Sequence, residues 1–171
     1  MLIVLMGYMG CGKSSVGKML AAENNIPFID LDDYIEEKEQ QTVQEIFKTK
    51  GEIFFRKLET VSLESLLSAS EGAVISLGGG TPCYGNNIEI IQNKASHNFY
   101  LKASIETLTE RLVKEKEHRP LIKNINNDEL SDFIRKHLFE RNFFYMQAGN
   151  IITVDDKSIP EVVLEIQQQL S

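Results

Sequence analysis

The sequence is poor in cysteine, carries an excess of negative charge and contains no long apolar segment. Its two cysteines, Cys11 and Cys83, lie in glycine-containing loops without the spacing of a metal site, so we expect two free thiols. The net charge of −7 argues against a nucleic-acid-binding surface, which requires clustered lysine and arginine. No apolar run approaches the roughly 20 residues that span a bilayer, and no signal peptide precedes the first apolar run. These absences favour a cytoplasmic protein that binds neither nucleic acid nor membrane.

Five short apolar runs alternate with helical patterns along the 171 residues. The runs cover residues 1–6, 26–29, 73–77, 97–101 and 151–154. A long helix is predicted over 52–69, with an apolar stripe made of Phe54, Phe55, Leu58, Val61, Leu63 and Leu66. Buried strands that alternate with helices are typical of a parallel sheet. We therefore predict a single α/β domain over residues 1–171, with a three-layer α/β/α fold and a five-stranded parallel sheet.

The first apolar run leads into Gly-Tyr-Met-Gly-Cys-Gly-Lys-Ser at residues 7–14, which fits the phosphate-loop pattern G-x-x-x-x-G-K-[ST]. The glycines let backbone N–H groups converge on phosphate oxygens at the start of a helix, whose dipole favours an anion. Lys13 can reach the β- and γ-phosphates, and the Ser14 hydroxyl is the usual magnesium ligand. A glycine-rich turn in an ordinary α/β protein is the alternative. The Lys-Ser pair and the flanking strand and helix favour a nucleotide site.

Acidic residues follow the second apolar run. Asp30 and Asp32 alternate with Leu31, so on a continuing strand both carboxylates point to one side while Leu31 enters the core. The carboxyl end of a strand is where open α/β sheets bind ligands. The third run ends in Ser76 rather than in the aspartate that often holds magnesium in phosphate-loop enzymes. We therefore expect Asp30 or Asp32 to take over that role.

The sequence contains five arginines, and two of them, Arg56 and Arg141, lie on separate predicted helices outside the phosphate loop. Arg56 shares a helix face with Glu59, three residues further on, and can pair with it. If Arg56 and Arg141 face one cleft together with Gly78–Gly80, they form a forked, planar site suited to a carboxylate. Asp32 can then orient a substrate hydroxyl for in-line attack. The glycine triplet itself predicts either a strained turn or a backbone pressed against a ligand.

The segment at about residues 112–127 is rich in charge and asparagine and has little periodicity. Arg119 lies within it and is followed by Pro120. We predict a mobile lid whose arginine closes over the phosphate loop. An ordinary solvated loop is the alternative.

Taken together and in this order, the motifs resemble those of the shikimate kinase family, and the resemblance runs through the whole chain. The segments that carry it are the phosphate loop with Gly17, Phe28-Ile29-Asp30-Leu31-Asp32 with Ile35-Glu36, Gly51-Glu52 with Phe55-Arg56 and Glu59, Gly78-Gly79-Gly80, Arg119-Pro120-Leu121, and Arg141-Asn142 with Tyr145. Each segment alone is weak evidence, but six in the right order are strong. The resemblance implies a sheet like that of nucleoside-monophosphate kinases and transfer of a phosphoryl group from ATP to the 3-hydroxyl of shikimate.

The resemblance also implies a role for each site residue. ATP would be bound by Gly10, Cys11, Gly12, Lys13, Ser14, Ser15, Arg119 and Pro160. Magnesium would be held by Ser14 and Asp30, and shikimate by Asp32, Arg56, Gly78, Gly79, Gly80 and Arg141. The catalytic residues would be Lys13, Asp32 and Arg119, with Asp32 as the base and the two cations neutralising charge on the transferred group. Arg111 or Lys114 would stack on adenine, with Pro160 on its other side. A monomer is expected.

Two other interpretations remain open from the residues alone. A gluconate kinase or a nucleoside-monophosphate kinase would share the loop, the fold and the lid. A monophosphate acceptor, however, needs arginines aimed at a phosphate dianion and a pocket for a base, whereas Arg56, Arg141 and Asp32 fit a carboxylated polyol better. A nucleotide-binding regulatory module would keep the phosphate loop but would have no use for these three residues together.

Overall fold

The protein is built on one sheet of five parallel strands, and the computed structural model describes all residues 1–171. The strands are β1 (Leu2–Met6), β2 (Phe28–Asp30), β3 (Ala73–Ser76), β4 (His97–Lys102) and β5 (Asn150–Thr153). Their order across the sheet is β2-β3-β1-β4-β5, and every neighbouring pair is parallel. Parallel neighbours require crossover connections, which the intervening helices supply. The predicted five-stranded parallel sheet is confirmed.

Eight α-helices connect and flank the strands. They are α1 (Lys13–Glu23), α2 (Leu31–Glu39), α3 (Val43–Lys50), α4 (Glu52–Ala69), α5 (Asn87–Lys94), α6 (Ile105–Glu115), α7 (Asn127–Tyr145) and α8 (Ile159–Leu170). Two short 3-10 helices cover Thr81–Cys83 and Lys116–His118. Serine side chains cap α6 and α8, because Ser104 and Ser158 accept hydrogen bonds from the third backbone amide that follows each of them. No helix has both the length and the apolar character needed to cross a bilayer.

Strand β1 lies at the centre of the core, and all five of its residues are buried. Since side chains alternate between the two faces of a strand, both faces of the sheet are covered, which gives the predicted three layers. Helix α1 packs against β3 and α8, and α5 packs against β4. The phosphate loop leaves the carboxyl end of β1 and enters α1. It therefore lies above the middle of the sheet, at the edge where such folds bind ligands.

The expectation that Asp30 and Asp32 both lie on a strand is wrong. Strand β2 ends at Asp30, and Asp32 is in the first turn of α2. The Asp30 side chain accepts a hydrogen bond from the Asp33 amide at 3.1 Å and so caps the helix, a position that aspartate favours. Leu31 is fully buried, as predicted. The helix cap, and not strand alternation, is what brings the two carboxylates to one side.

The apolar stripe predicted for α4 is partly wrong. Phe54 is 40% exposed and Val61 is 56% exposed. The buried positions of this helix are Phe55, Glu59, Ser62, Leu63, Leu66 and Leu67, which follow one another at the three- and four-residue spacing of a single helix face. Phe54 and Val61 each precede a buried residue by one position, about 100° away around the helix, and so face outward.

The segment without periodicity is shorter than the predicted 112–127. Helix α6 continues to Glu115 and buries Leu112, and α7 begins at Asn127. The connection between them, residues 116–126, starts with a 3-10 turn and is pinned to the core by Ile122, which is fully buried. The predicted lid is therefore anchored by Ile122, and the partly buried Ile125 also packs against the core. Its mobility stays a prediction.

Candidate active site

Two cavities lie side by side at the carboxyl edge of the sheet. The first, which we call the loop cavity, has a volume of about 450 Å³ and is lined by Gly10, Gly12, Lys13, Ser14, Ser15, Asp30, Asp32, Ser76, Gly78, Gly79, Arg111, Glu115, Arg119 and Ile159, with Met9 and Leu77. The second, the arginine cavity, has a volume of about 990 Å³ and is lined by Arg56, Arg119 and Arg141, among others. Asp30, Asp32 and Arg119 line both. A group bound in one cavity can thus reach a group bound in the other.

The conformation of the phosphate loop depends on its glycines and on hydrogen bonds from Lys13 to loop carbonyls. Gly10 and Gly12 have φ values of 81° and 101°, a conformation that side chains other than glycine rarely adopt. The Lys13 ammonium donates to the carbonyl oxygens of Gly7 at 2.7 Å and Tyr8 at 3.2 Å. Cys11 does not line the cavity, because its side chain is buried and its amide donates to the Tyr8 carbonyl at 3.2 Å. The structure therefore places five of the six predicted loop residues at the cavity wall.

The two carboxylates of the loop cavity are hard to ionise together. Burial raises the pKa of Asp32 to about 7, and the negative charges of Asp30 and Glu59 add to the effect, while Lys13 opposes it. Burial also raises the pKa of Asp30, against the hydrogen bond from the Asp33 amide. A cation between the carboxylates and the phosphates would relieve this repulsion.

Magnesium fits this set of donors. Ser14 and Asp30 offer one hydroxyl and one carboxylate to the loop cavity, and no group of three or more acidic, histidine or cysteine side chains forms a metal cage anywhere in the chain. Magnesium is commonly held by one or two protein oxygens, with water and substrate phosphate completing its shell. When bound, it would neutralise charge on the phosphates.

The triplet Gly78–Gly80 consists of glycines because side chains pack closely against its backbone, and not because its backbone conformation is strained. None of the three has a positive φ. A Cβ atom added at each would instead meet a site side chain, namely Asp32 Oδ1 at 3.2 Å, Arg141 Nη1 at 2.8 Å and Arg56 Nη1 at 2.8 Å in chain order. The backbone is therefore pressed against the three side chains that the sequence assigns to the acceptor, and the strained-turn alternative is wrong.

Arg56 is held from several sides. Its Nη1 donates to Glu59 Oε1 at 2.9 Å, which confirms the predicted pair. Glu59 is 1% exposed and also accepts from the Thr81 hydroxyl at 2.7 Å, so its charge is compensated within the core. The ring of Tyr84 lies 4.0 Å from the guanidinium carbon and completes the enclosure. These contacts hold Arg56 at the wall of the arginine cavity.

Arg141 lies on α7 and contacts the glycine triplet at Gly79. One turn further along the helix, the Tyr145 hydroxyl donates to the Gly79 carbonyl at 2.5 Å and ties α7 to the triplet. The Arg141 guanidinium lies 5.9 Å from the ring of Tyr8 in the phosphate loop. The structure thus brings Arg56 and Arg141 to one cavity, although they lie 85 positions apart along the chain.

Comparison with known proteins agrees with the geometry of the two cavities. A family model of shikimate kinase matches residues 9–171. The chain belongs to the shikimate kinase family. The shikimate kinase of Flavobacterium johnsoniae is 50% identical over 164 residues, which cover 96% of this chain and 95% of that protein. The predicted resemblance is therefore confirmed, and the chain is a phosphotransferase that uses ATP and magnesium.

Solved structures of the shikimate kinase family share the fold. The crystal structure of the enzyme from Bacteroides thetaiotaomicron has a TM-score of 0.92 and 39% identity, covering 99% of this chain and 97% of that one. The enzyme from Acinetobacter baumannii, in complex with shikimate, has a TM-score of 0.88 and 30% identity, covering 99% and 92% of the two chains. The α/β phosphate-loop kinase fold predicted from the sequence is thus confirmed.

Arg119, the arginine of the predicted lid, pairs with a neighbouring residue of its own segment. Arg119 Nε and Nη2 each lie 2.9 Å from Glu115 Oε2, and both residues line the loop cavity.

Arg111 Nη1 donates to the Gly10 carbonyl at 3.2 Å, which places it beside the phosphate loop. Pro160 does not line either cavity, whereas its neighbour Ile159 does. The adenine contact of Pro160 stays a prediction.

Four residues of the two cavities or their arginines were not predicted from the sequence. Tyr84, Glu115, Tyr8 and His137 contact the predicted arginines or line the cavities. Glu115 had a detectable signal, because it precedes Arg119 by four residues, the spacing of a helical ion pair. Tyr8, Tyr84 and His137 had none, since their partners lie far away along the chain.

The glycine triplet gives a first prediction. Gly79→Ala should raise the KM for shikimate about 10-fold or more with little change in the KM for ATP, because its Cβ would lie 2.8 Å from Arg141 Nη1 and push that guanidinium away. The measurement is steady-state kinetics with each substrate varied. Gly149→Ala is the control, since its Cβ would meet only ordinary contacts at 3.5 Å or more. Unchanged kinetics in Gly79→Ala would show that Arg141 is not confined by the triplet.

Proposed function

We propose that this shikimate kinase homologue transfers the γ-phosphoryl group of ATP to the 3-hydroxyl of shikimate, with the predicted site residues in the roles described below. The observation that carries the proposal is the arginine cavity, in which Arg56 and Arg141 share the wall with Asp32, and Asp32 and Arg119 also line the adjoining loop cavity. A carboxylate and a hydroxyl on one small ring are the groups that such a cavity can hold.

Arg56 and Arg141 hold the carboxylate of the acceptor. Planar guanidinium groups bind a carboxylate through paired hydrogen bonds, and Arg56 is already oriented by Glu59 and Tyr84. The backbone of Gly78–Gly80 allows both arginines to approach. With the carboxylate fixed at one end, the reacting hydroxyl is directed toward Asp32.

Asp32 accepts a hydrogen bond from that hydroxyl and takes its proton as the bond to phosphorus forms. Its raised pKa of about 7 is suited to a base that acts near neutral pH. Lys13 and Arg119 neutralise the charge on the phosphoryl group in transit. Both cations are now engaged within the protein, Lys13 with loop carbonyls and Arg119 with Glu115, so each must exchange partners when ATP binds.

The predicted boundaries and assembly belong to the same proposal. Residues 1–171 form one kinase domain, with a lid between α6 and α7 that closes on the substrates. Shikimate is the partner, the protein is a monomer, and it works in the cytoplasm. Free Cys11 and Cys83 support a reducing compartment. Size-exclusion chromatography and cell fractionation test the last two points.

The acceptor assay tests the proposed function. ADP release is measured with ATP and magnesium and with shikimate, quinate, gluconate or a nucleoside monophosphate at equal concentration. We expect turnover with shikimate far above the others. The Lys13→Ala variant is the control for contaminating kinase and should lose turnover about 1,000-fold or more, because the only cation on the phosphate loop is removed. Turnover with gluconate or a monophosphate but not with shikimate would assign a different acceptor, and nucleotide binding without any turnover would indicate a regulatory module.

A further inference from the structure

His137 lines the arginine cavity. The proposed function assigns it no role. It lies on α7, one turn before Arg141. Its Nδ1 atom is 2.9 Å from the Tyr8 hydroxyl, and its ring packs edge-on against the Tyr8 ring at 5.3 Å. The ring of Phe133 also packs against it, with the ring centroids 5.4 Å apart. These contacts with Tyr8 and Phe133 fix the orientation of the imidazole.

The second ring nitrogen is available. Nε2 of His137 makes no hydrogen bond within the protein. The only buried side-chain nitrogen or oxygen atoms without a partner in the whole chain are Arg56 Nε and Ser62 Oγ, so His137 Nε2 is not sealed inside the core. Since His137 lines the arginine cavity, the free nitrogen can be reached by a molecule in that cavity. A fixed ring with one nitrogen anchored and the other open is the arrangement of a ligand-binding histidine.

The imidazole is neutral at this position. Burial and the neighbouring Arg141 charge lower the pKa of His137 to about 4, while burial raises the pKa of Tyr8 to about 12, so that its hydroxyl stays protonated. A neutral imidazole offers either a donor or an acceptor at Nε2, depending on which nitrogen carries the proton. A hydroxyl group can pair with both forms. A neutral group also adds no repulsion to a cavity that already contains the guanidinium groups of Arg56 and Arg141.

We propose that His137, oriented by Tyr8, is an additional residue of the acceptor site and forms a hydrogen bond through Nε2 with a non-reacting hydroxyl of the bound polyol. The proposal rests on the proposed function, because it takes the arginine cavity to be the acceptor site. The two arginines hold the carboxylate and Asp32 holds the reacting hydroxyl. His137 then forms a hydrogen bond with one of the remaining hydroxyls and contributes to the specificity for one carboxylated ring over another.

The test uses the full-length protein and shikimate analogues that lack one non-reacting hydroxyl, 4-deoxyshikimate and 5-deoxyshikimate. His137→Ala should raise the KM for shikimate about 5- to 10-fold with little change in kcat or in the KM for ATP, as expected for one lost neutral hydrogen bond. For the analogue that lacks the contacted hydroxyl, wild type and His137→Ala should have nearly the same KM. For the other analogue, the 5- to 10-fold difference should persist.

Two further variants separate contact from support of the fold. His137→Gln, which keeps a polar group of similar reach, should retain most of the affinity for shikimate. Tyr8→Phe should raise the KM about 2- to 3-fold, because the ring is no longer held by the hydroxyl at 2.9 Å. Lys136→Ala, an exposed neighbour on α7 that lines neither cavity, is the control and should behave as wild type.

The outcomes separate a failure of the proposed function from a failure of the His137 contact. If wild type does not phosphorylate shikimate, the proposed function fails, whatever the variants do. If wild type is active and His137→Ala keeps its KM, or raises the KM equally for shikimate and both deoxy analogues, the hydroxyl contact is refuted. Should His137→Ala fail to fold, the comparison of His137→Gln and Tyr8→Phe with wild type on the same three acceptors decides in its place.

Discussion

Asp32→Asn is expected to lower kcat with shikimate by about 100- to 10,000-fold, the usual contribution of a positioned general base, and to leave ATP binding close to that of wild type. The side chain keeps its size and still lies beside Gly78, so the cavities retain their shape. What it loses is the ability to take the proton of the attacking hydroxyl. Initial rates of ADP release and nucleotide titration measure the two effects separately.

The same substitution should stabilise the protein without ligands, in a pH-dependent way. The pKa of Asp32 is about 7 in the folded protein against 3.8 for an ordinary aspartate. Between these values the folded protein holds a proton that the unfolded chain has released, so stability falls as the pH rises and levels off above about 7. Asparagine never ionises and avoids this loss. We expect Asp32→Asn to raise the free energy of unfolding by roughly 2–4 kcal/mol at pH 8 and by almost nothing at pH 4.

Chemical denaturation at both pH values measures this gain. Glu37→Gln is the matched control, because it removes a carboxylate from an exposed position of the same helix and should change neither activity nor the pH dependence of stability. A fully active Asp32→Asn enzyme would remove the residue from catalysis. An equal stability difference at pH 4 and pH 8 would show that the cavity does not penalise the charged carboxylate.

The fold could be predicted from the sequence because its signals are local. Five buried strands, the helices between them and the phosphate loop each depend on residues close together in the chain. The error at Asp32 was also local and could have been avoided. Asp30, followed three positions later by the Asp33 amide, is a helix cap, and that signal competes with strand alternation. The cap prevailed, and β2 ends at Asp30.

The contacts that hold the site side chains in place could not be predicted, because they join segments that are far apart in the sequence. Glu59 receives a hydrogen bond from Thr81, and Tyr8 pairs with His137 across 129 positions of the chain. Neither pair has a spacing that a single sequence reveals. The glycine triplet illustrates the same limit, since its sequence was compatible with strain or with close packing. The φ values of the triplet and the positions of Asp32, Arg56 and Arg141 decided between them.

Arg141→Ala is expected to raise the KM for shikimate about 10- to 100-fold, which corresponds to the loss of one or two hydrogen bonds to a charged group. The change should leave the KM for ATP nearly unaltered, because Arg141 lines the arginine cavity and not the loop cavity. Arg141→Lys should recover little of the affinity, since an ammonium group cannot reproduce the planar fork of a guanidinium. Kinetics with each substrate varied in turn measure all three expectations.

Arg56→Ala should differ from Arg141→Ala in a way that follows from Glu59. Removing Arg56 leaves the Glu59 carboxylate, 1% exposed, with only the Thr81 hydroxyl as partner, so stability falls along with acceptor binding. Arg141 has no buried carboxylate that depends on it, and its loss should affect binding alone. Arg135→Ala is the control for both, because this exposed arginine of α7 pairs only with Asp132 at the surface. If Arg141→Ala instead lowered kcat at an unchanged KM for shikimate, Arg141 would act on the transferred phosphoryl group, and the arginine cavity would have to hold its acceptor through Arg56 alone.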